Sequence, residues 1–256
     1  MSASPQRSEN SIDSNTLERI QGAGFEGFEA EAILKWALDT FHPRIALSAS
    51  FGGPEGMVIL HLMHRIRPDA RVFVLDTGRL PQATYDLIDR VRDRYGKAVE
   101  VVFPEPAAVQ EMVRRDGMNL FYESVAKRQL CCRLRKVEPM NRALAGLDAW
   151  VSGLRREQGV TRAETPKVEI DRGHGGIVKV NPLADWDADQ VWQYVRDHDL
   201  PTNRLHRVGY PSVGCAPCSR AVKTGEDERA GRWWWEQPDT RECGIHVDEE
   251  EDGSGI

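Results

Sequence analysis

Five cysteines carry the most informative spacing in this sequence. Cys131 and Cys132 are adjacent, Cys215 and Cys218 form a C-x-x-C pair within Gly214-Cys-Ala-Pro-Cys218, and Cys243 stands alone in Glu242-Cys-Gly-Ile-His246. Four thiolates in two pairs can hold zinc or an iron–sulfur cluster. Adjacent cysteines make an awkward chelate at one tetrahedral ion because their side chains diverge, whereas a cubane offers four separate irons. The pairs therefore favour a [4Fe–4S] cluster over zinc, and two pairs together argue against four merely buried thiols. A lone C-x-x-C would fit a thioredoxin-like redox pair equally well. Lys127, Arg128, Arg133, Arg135 and Lys136 surround the first pair. They suit the negative charge of clustered thiolates, an anionic substrate, or simply a solvated helix face. Cys243 has no partner and reads either as an incidental thiol or as a nucleophile. His246, three residues on, and Arg229, Arg232 and Arg241 upstream supply the positive charge that favours a thiolate.

Three further stretches could hold an anion. Ser48-Ala-Ser-Phe-Gly-Gly-Pro-Glu-Gly56 combines hydroxyls with glycine amides ahead of a helical pattern, as an anion-cradling turn needs. Within it Ser48, Ser50 and Gly52 are candidate contacts, and the Walker A pattern is absent. Asp76-Thr-Gly-Arg79 either caps the next helix or contacts a nucleotide through Asp76 and Thr77. Gly153-Leu-Arg-Arg156 puts the cations Arg155 and Arg156 after a strand, as an exposed basic loop or as substrate contacts. Trp233-Trp-Trp235 reads as core or lid packing rather than base stacking.

The elements that must position these residues alternate. Strands are expected at 44–48, 71–76, 99–103 and 149–152, and helices at 55–65, 81–95 and 188–197, the last capped by Asp187. Such alternation implies an α/β fold with a mostly parallel sheet covered on both faces, and ligands bind such sheets beyond the carboxyl ends of the strands. The turns after Ser48 and Asp76 lie at such ends. With 256 residues, 40% of them hydrophobic, the chain can bury a full core. A formal charge of −6 argues against nucleic-acid binding. No apolar run approaches membrane-helix length and no signal peptide is visible, so a cytoplasmic location, with reduced cysteines, is the expectation. Residues 1–14 are expected to be a disordered N-terminus, 15–219 an α/β domain with the iron–sulfur site, 220–247 a mobile segment bearing Cys243, and 248–256 an acidic tail. A homo-oligomer is left open.

Together these motifs resemble the assimilatory sulfonucleotide reductases, the adenylyl-sulfate and phosphoadenylyl-sulfate reductases, from about Ala46 to Val247. The resemblance rests on Ser48 to Gly53, on Leu75-Asp-Thr-Gly-Arg79, on Lys127-Arg-Gln-Leu-Cys-Cys-Arg-Leu-Arg-Lys136 with Cys215-Ala-Pro-Cys218, and on Glu242-Cys-Gly-Ile-His246. It implies an adenine nucleotide α-hydrolase-like fold related to the ATP pyrophosphatases. It implies that Cys243 is the nucleophile, that Cys131, Cys132, Cys215 and Cys218 hold a [4Fe–4S] cluster, and that Lys136 lies near both cluster and substrate. It further implies substrate contacts from Ser48, Ser50, Gly153, Arg229, Arg232 and His246. The implied reaction is thioredoxin-dependent reduction of adenosine 5′-phosphosulfate to sulfite and AMP through an S-sulfocysteine. The SASFGGPEG turn departs from the SGAED pattern common among adenylyl-sulfate enzymes, which keeps the 3′-phosphorylated nucleotide as an alternative. An ATP pyrophosphatase-type enzyme should carry an SGGKDS-like turn, absent here, and a non-enzymatic iron–sulfur or zinc protein would not need the arginine-rich loops.

Overall fold

The structure, a computed structural model, describes residues 14–22, 24–96, 98–237 and 244–245. All but the last residue of the expected disordered N-terminus, and the whole acidic tail at 248–256, lie outside these residues.

In chain order the elements are α1 (Ser14–Gln21), α2 (Ala30–Phe41), β1 (Ile45–Ser48), α3 (Glu55–Ile66), β2 (Arg71–Leu75), α4 (Gln82–Tyr95), β3 (Glu100–Val102), α5 (Pro106–Asp116), α6 (Val125–Cys132), α7 (Glu138–Leu144), β4 (Ala149–Val151), β5 (Val168–Asp171), β6 (Ile177–Val180) and α8 (Ala188–Asp197). A π-helical turn, Arg133–Val137, joins α6 to α7. The punctuation is local chemistry. Pro106 opens α5, where its missing N–H costs nothing, and Gly96 ends α4 in the left-handed region. Asp187 and Gln190 close a reciprocal capping box at the start of α8.

The six strands form one sheet in the order β3-β2-β1-β4-β6-β5, with every neighbouring pair parallel except β5–β6. Alternation along β1 divides the core. Ile45 and Leu47 face α2 and α3 in a large apolar layer shared with Leu87 and Val91 of α4 and Val191 and Val195 of α8. Ala46 faces the other way, with Phe73, Trp150 and Met140 and Leu144 of α7. Each large apolar side chain buried in these layers contributes roughly 1.5–3 kcal/mol.

The expected strands and helices are present, with ends shifted by a residue or two. The sequence reading does not anticipate α1, α2, α5, α7 or the β5–β6 pair, and has a helix at α6 only as one of several readings of its cations. β6 hid because Ile-Val-Lys-Val buries a lysine, whose charge is balanced by Glu169 of β5 at 2.9 Å.

The strand order carries the functional consequence. From β1 the chain moves to β2 on one side, while β4 lies on the other. Connections diverge there, and a crevice opens beyond the carboxyl ends of β1 and β4.

Candidate active site

A cleft open to solvent occupies that crevice. Its floor is the turn after β1, and close packing dictates the turn's composition. A Cβ on Gly52 would stand 1.8 Å from the Val213 carbonyl oxygen, so only glycine fits. Val213 N donates to Gly52 O at 2.9 Å, and Gly52 N donates to Ser50 Oγ at 3.3 Å. Phe51 is fully buried with φ +52°, a conformation that bulky residues rarely adopt. Asn203 holds it there, its Nδ2 donating to Phe51 O (3.1 Å) and to Thr84 Oγ1 (3.0 Å).

Ser48, Ser50, Gly52, Thr77, Lys136 and Gly153 all line this cleft, as do Arg229 and Arg232. Asp76 lies just behind it, where its carboxylate accepts from Gly78 N (2.8 Å) and Tyr85 OH (2.9 Å) and so shapes the turn. Arg155 and Arg156, read from sequence as substrate cations, are placed otherwise. Arg155 is buried and spends its guanidinium on Glu55 (2.8 Å), Glu157 (3.0 Å) and Glu228 (3.0 Å). Arg156 pairs with Glu26 and donates to Thr165 O. The cation that this loop presents to the cleft is Arg162, which donates to Gln158 at 2.6 Å. Sequence reasoning also missed Glu55 and Glu228, which line the cleft. Burial pushes the Glu228 carboxyl above the usual carboxylate range despite Arg155. Only the Glu55 position beside Gly53 signalled a carboxylate here. Cys243 and His246 lie outside the described residues, whereas Ile245 between them lines the cleft.

One end of the cleft is built for an anion. Arg232 is only 7% exposed, its Nε has no hydrogen-bond partner, and its Nη1 reaches no closer than 3.5 Å to Ser212 Oγ. No carboxylate pairs with it among the described residues. A Cβ on Gly214 would stand 2.2 Å from Arg232 Nη2, so the glycine makes room for the guanidinium. A desolvated cation without a counter-charge is costly to the fold, and an incoming anion would relieve that cost.

The four cysteines of the two pairs line a second, adjoining cavity. Cys131 and Cys132 end α6, where Ser124 caps the helix start by accepting from Lys127 N, and Cys215 and Cys218 flank a tight turn through Pro217. None is in a disulfide. Thr77 Oγ1 lies 3.2 Å from Cys215 Sγ. Burial raises the thiol pKa values of Cys131 and Cys218, the latter to about 12, with Lys136 and Arg232 pulling Cys218 back only in part. Trp233 Nε1 and Arg135 Nε, from two walls of the same cavity, are buried without a hydrogen-bond partner. Four sulfurs around one space, with unspent N–H donors on residues that line it, fit a sulfur-rich cluster. Among the described residues no group of three His, Cys, Asp or Glu converges as a single ion requires. Lys136 and Trp233 line both cavities and form the partition between them. Lys136 sits on the π-helical turn, a distortion frequent at functional sites.

The phosphoadenosine phosphosulfate reductase domain family matches residues 44–221. A relative from Allochromatium vinosum, named adenosine 5′-phosphosulfate reductase, is 55% identical over 76% of this chain and 75% of its own length. A relative of the same name from Burkholderia cepacia is 50% identical over 80% and 82%. The chloroplastic 5′-adenylylsulfate reductase 3 of Arabidopsis thaliana is 41% identical over 93% of this chain, which spans 55% of that longer protein. Among solved structures, the phosphoadenylyl-sulfate reductase of Candida auris, in a phosphate complex, superposes with TM-score 0.67 at 28% identity over 83% of this chain and 98% of that one. FMN adenylyltransferase of Candida glabrata, at 15% identity and TM-score 0.52, shares the fold alone, an adenine nucleotide α-hydrolase-like α/β architecture. With a cleft at the switch point of that fold, a cation facing it that no described carboxylate neutralises, and the family match covering most of the sequence, the chain belongs to the phosphoadenosine phosphosulfate reductase domain family.

Proposed function

We propose that this protein reduces adenosine 5′-phosphosulfate to sulfite and AMP in sulfate assimilation, with thioredoxin as the reductant and Cys243 as the nucleophile. One observation carries the reading: Ile245, two residues from Cys243, lines the same cleft as the Ser48–Gly53 turn and the cations Lys136, Arg229 and Arg232. The Cys243 thiolate attacks the sulfur of the mixed anhydride. The sulfur–oxygen bond to phosphate breaks, and AMP departs with the electron pair, leaving an S-sulfocysteine. Arg232, Arg229 and Lys136 balance the charge that accumulates on the leaving phosphate, and His246 is assigned to the same task. A thioredoxin thiolate then attacks Cys243 Sγ, and sulfite leaves with the electrons of the S–S bond. The second thioredoxin thiol resolves the mixed disulfide and returns Cys243 as a thiolate, so the dithiol supplies both electrons.

The cysteine cavity is assigned to a [4Fe–4S] cluster held by Cys131, Cys132, Cys215 and Cys218. When bound it supplies a fixed negative charge beside the partition. This chain's part is to hold Lys136 between that charge and the substrate. The unphosphorylated nucleotide is preferred because the relatives at 50% and 55% identity carry the adenosine 5′-phosphosulfate reductase name. The test is sulfite release from both nucleotides by anaerobically purified protein with thioredoxin. The expected outcome is turnover of adenosine 5′-phosphosulfate, and a peptide containing Cys243 that gains about 80 Da, the mass of SO3, when thioredoxin is withheld. Cys243→Ser should abolish both. A serine variant that still turns over would end the proposal.

A further inference from the structure

Two arginines reach Trp233 from different cavities. Arg128 lines the cysteine cavity with its guanidinium carbon 5.0 Å from the indole centroid, and Arg232 lines the cleft at 4.7 Å. Lys136 Nζ stands 5.9 Å away. The arginines differ in charge balance. Arg128 forms a bidentate pair with Glu236, at 2.9 Å and 2.7 Å, and the two side chains are 1% and 2% exposed. Arg232 has no such partner among the described residues. Trp233 also sits at φ +43° and is buried, so its backbone is held against a local preference. Trp233 N donates to Cys218 O at 3.3 Å, and Glu236 N donates back to Trp233 O at 2.8 Å, closing a turn over residues 233–236. The indole N–H has no partner, so ring packing and the flanking cations set the ring's place.

We propose that Glu236 is a positioning residue for the anion end of the cleft. By neutralising Arg128 it pins the 233–236 turn to α6 and holds Trp233 against Arg232, so that the guanidinium with no carboxylate partner among the described residues stays turned toward the cleft. The inference rests on the reading of that cleft as a nucleotide site. Glu236 touches no substrate. It acts through Arg128 and the indole, and it gives a fully buried ion pair a function beyond cohesion, which such pairs often supply poorly.

The experiment measures AMP affinity by calorimetry on anaerobically purified full-length protein, together with KM, kcat and thermal midpoint. Glu236→Gln should weaken AMP binding about tenfold and raise KM more than it lowers kcat, and Glu236→Asp should recover part of the loss. The discriminating variant is Arg128→Met with Glu236→Leu, which removes both charges and should keep the fold stable. It is expected to bind AMP several-fold more weakly than wild type at an unchanged thermal midpoint. If it binds AMP as wild type does, the pair serves stability alone and the proposal is overturned. Should Glu236→Gln fail to fold, the double variant decides by itself. Wild-type protein that binds no AMP at all would sink the nucleotide reading first, and this inference with it.

Discussion

Arg232 shows how a single residue trades stability against binding. Its guanidinium is buried in the cleft wall with an unpartnered Nε and no neutralising carboxylate among the described residues. Removing it should relieve the fold and cripple the site. Arg232→Ala is expected to lower kcat/KM for the nucleotide by about tenfold to a hundredfold, the worth of a charge-assisted hydrogen bond, mostly through KM. Its thermal midpoint should equal or exceed that of the wild type, because an unpaired buried charge has gone. A variant that loses stability and keeps its KM would show that the arginine is structural. Arg155 gives the contrast: with three carboxylates around it, it organises the cleft wall without being available to a ligand.

Among the elements, α8 offers a clean separation of folding from function. The Asp187 carboxylate accepts from Gln190 N at 2.7 Å, and the Gln190 side chain accepts from Asp187 N at 2.9 Å. Neither residue lines the cleft. Asp187→Ala should therefore cost about 1 kcal/mol of stability, read as a lowered denaturation midpoint, with KM and kcat unchanged. A change in KM would mean that α8 is coupled to the cleft. The joint between α6 and α7 behaves differently. There the helix passes through a π turn just after the adjacent cysteines, which brings Lys136 to the partition and lets Arg135 Nη1 donate to Thr77 O at 2.6 Å.

At the scale of the molecule, the face of the sheet covered by α3, α4 and α8 holds an acid-sensitive cluster. The His61 ring lies 5.0 Å from that of His198, and its Nδ1 is 3.3 Å from the Tyr95 hydroxyl. His64, Tyr194, Arg65 and Arg94 complete the surroundings. Burial, then His198, then the arginines push the His61 pKa down from 6.5 to about 4. The folded state thus holds a neutral imidazole that the unfolded chain would protonate below pH 6.5. The unfolded state binds more protons through this window, so the contribution is fully present above pH 6.5 and is lost as the pH falls toward 4. The thermal midpoint should decline across that interval. His61→Gln should flatten the decline, and an identical slope in the variant would assign the acid sensitivity elsewhere.

The sequence by itself determined the chemical inventory and four of the six strands; their order, and the β5–β6 edge, came from the tertiary structure. Two cysteine pairs, a Ser-Gly turn and alternating apolar runs are local patterns, and local patterns survive being read one residue after another. That is why β1, β2, β4 and α8, and the cleft residues Ser48, Ser50 and Thr77, were legible before any fold was known, whereas Lys136 was singled out from its neighbouring cations only by the family resemblance. Only the tertiary structure decided how charges were shared. Arg155 looked like a substrate cation until folding brought it Glu55, a hundred residues away, and Glu228 from the other direction, so that Arg162 is the cation this stretch adds to the cleft. Arg128 and Arg232 look alike in the chain, and a carboxylate from a distant turn neutralises one while none among the described residues pairs with the other. Partner choice among buried ions depends on desolvation and on a few ångströms of separation, and neither quantity is written in residue order.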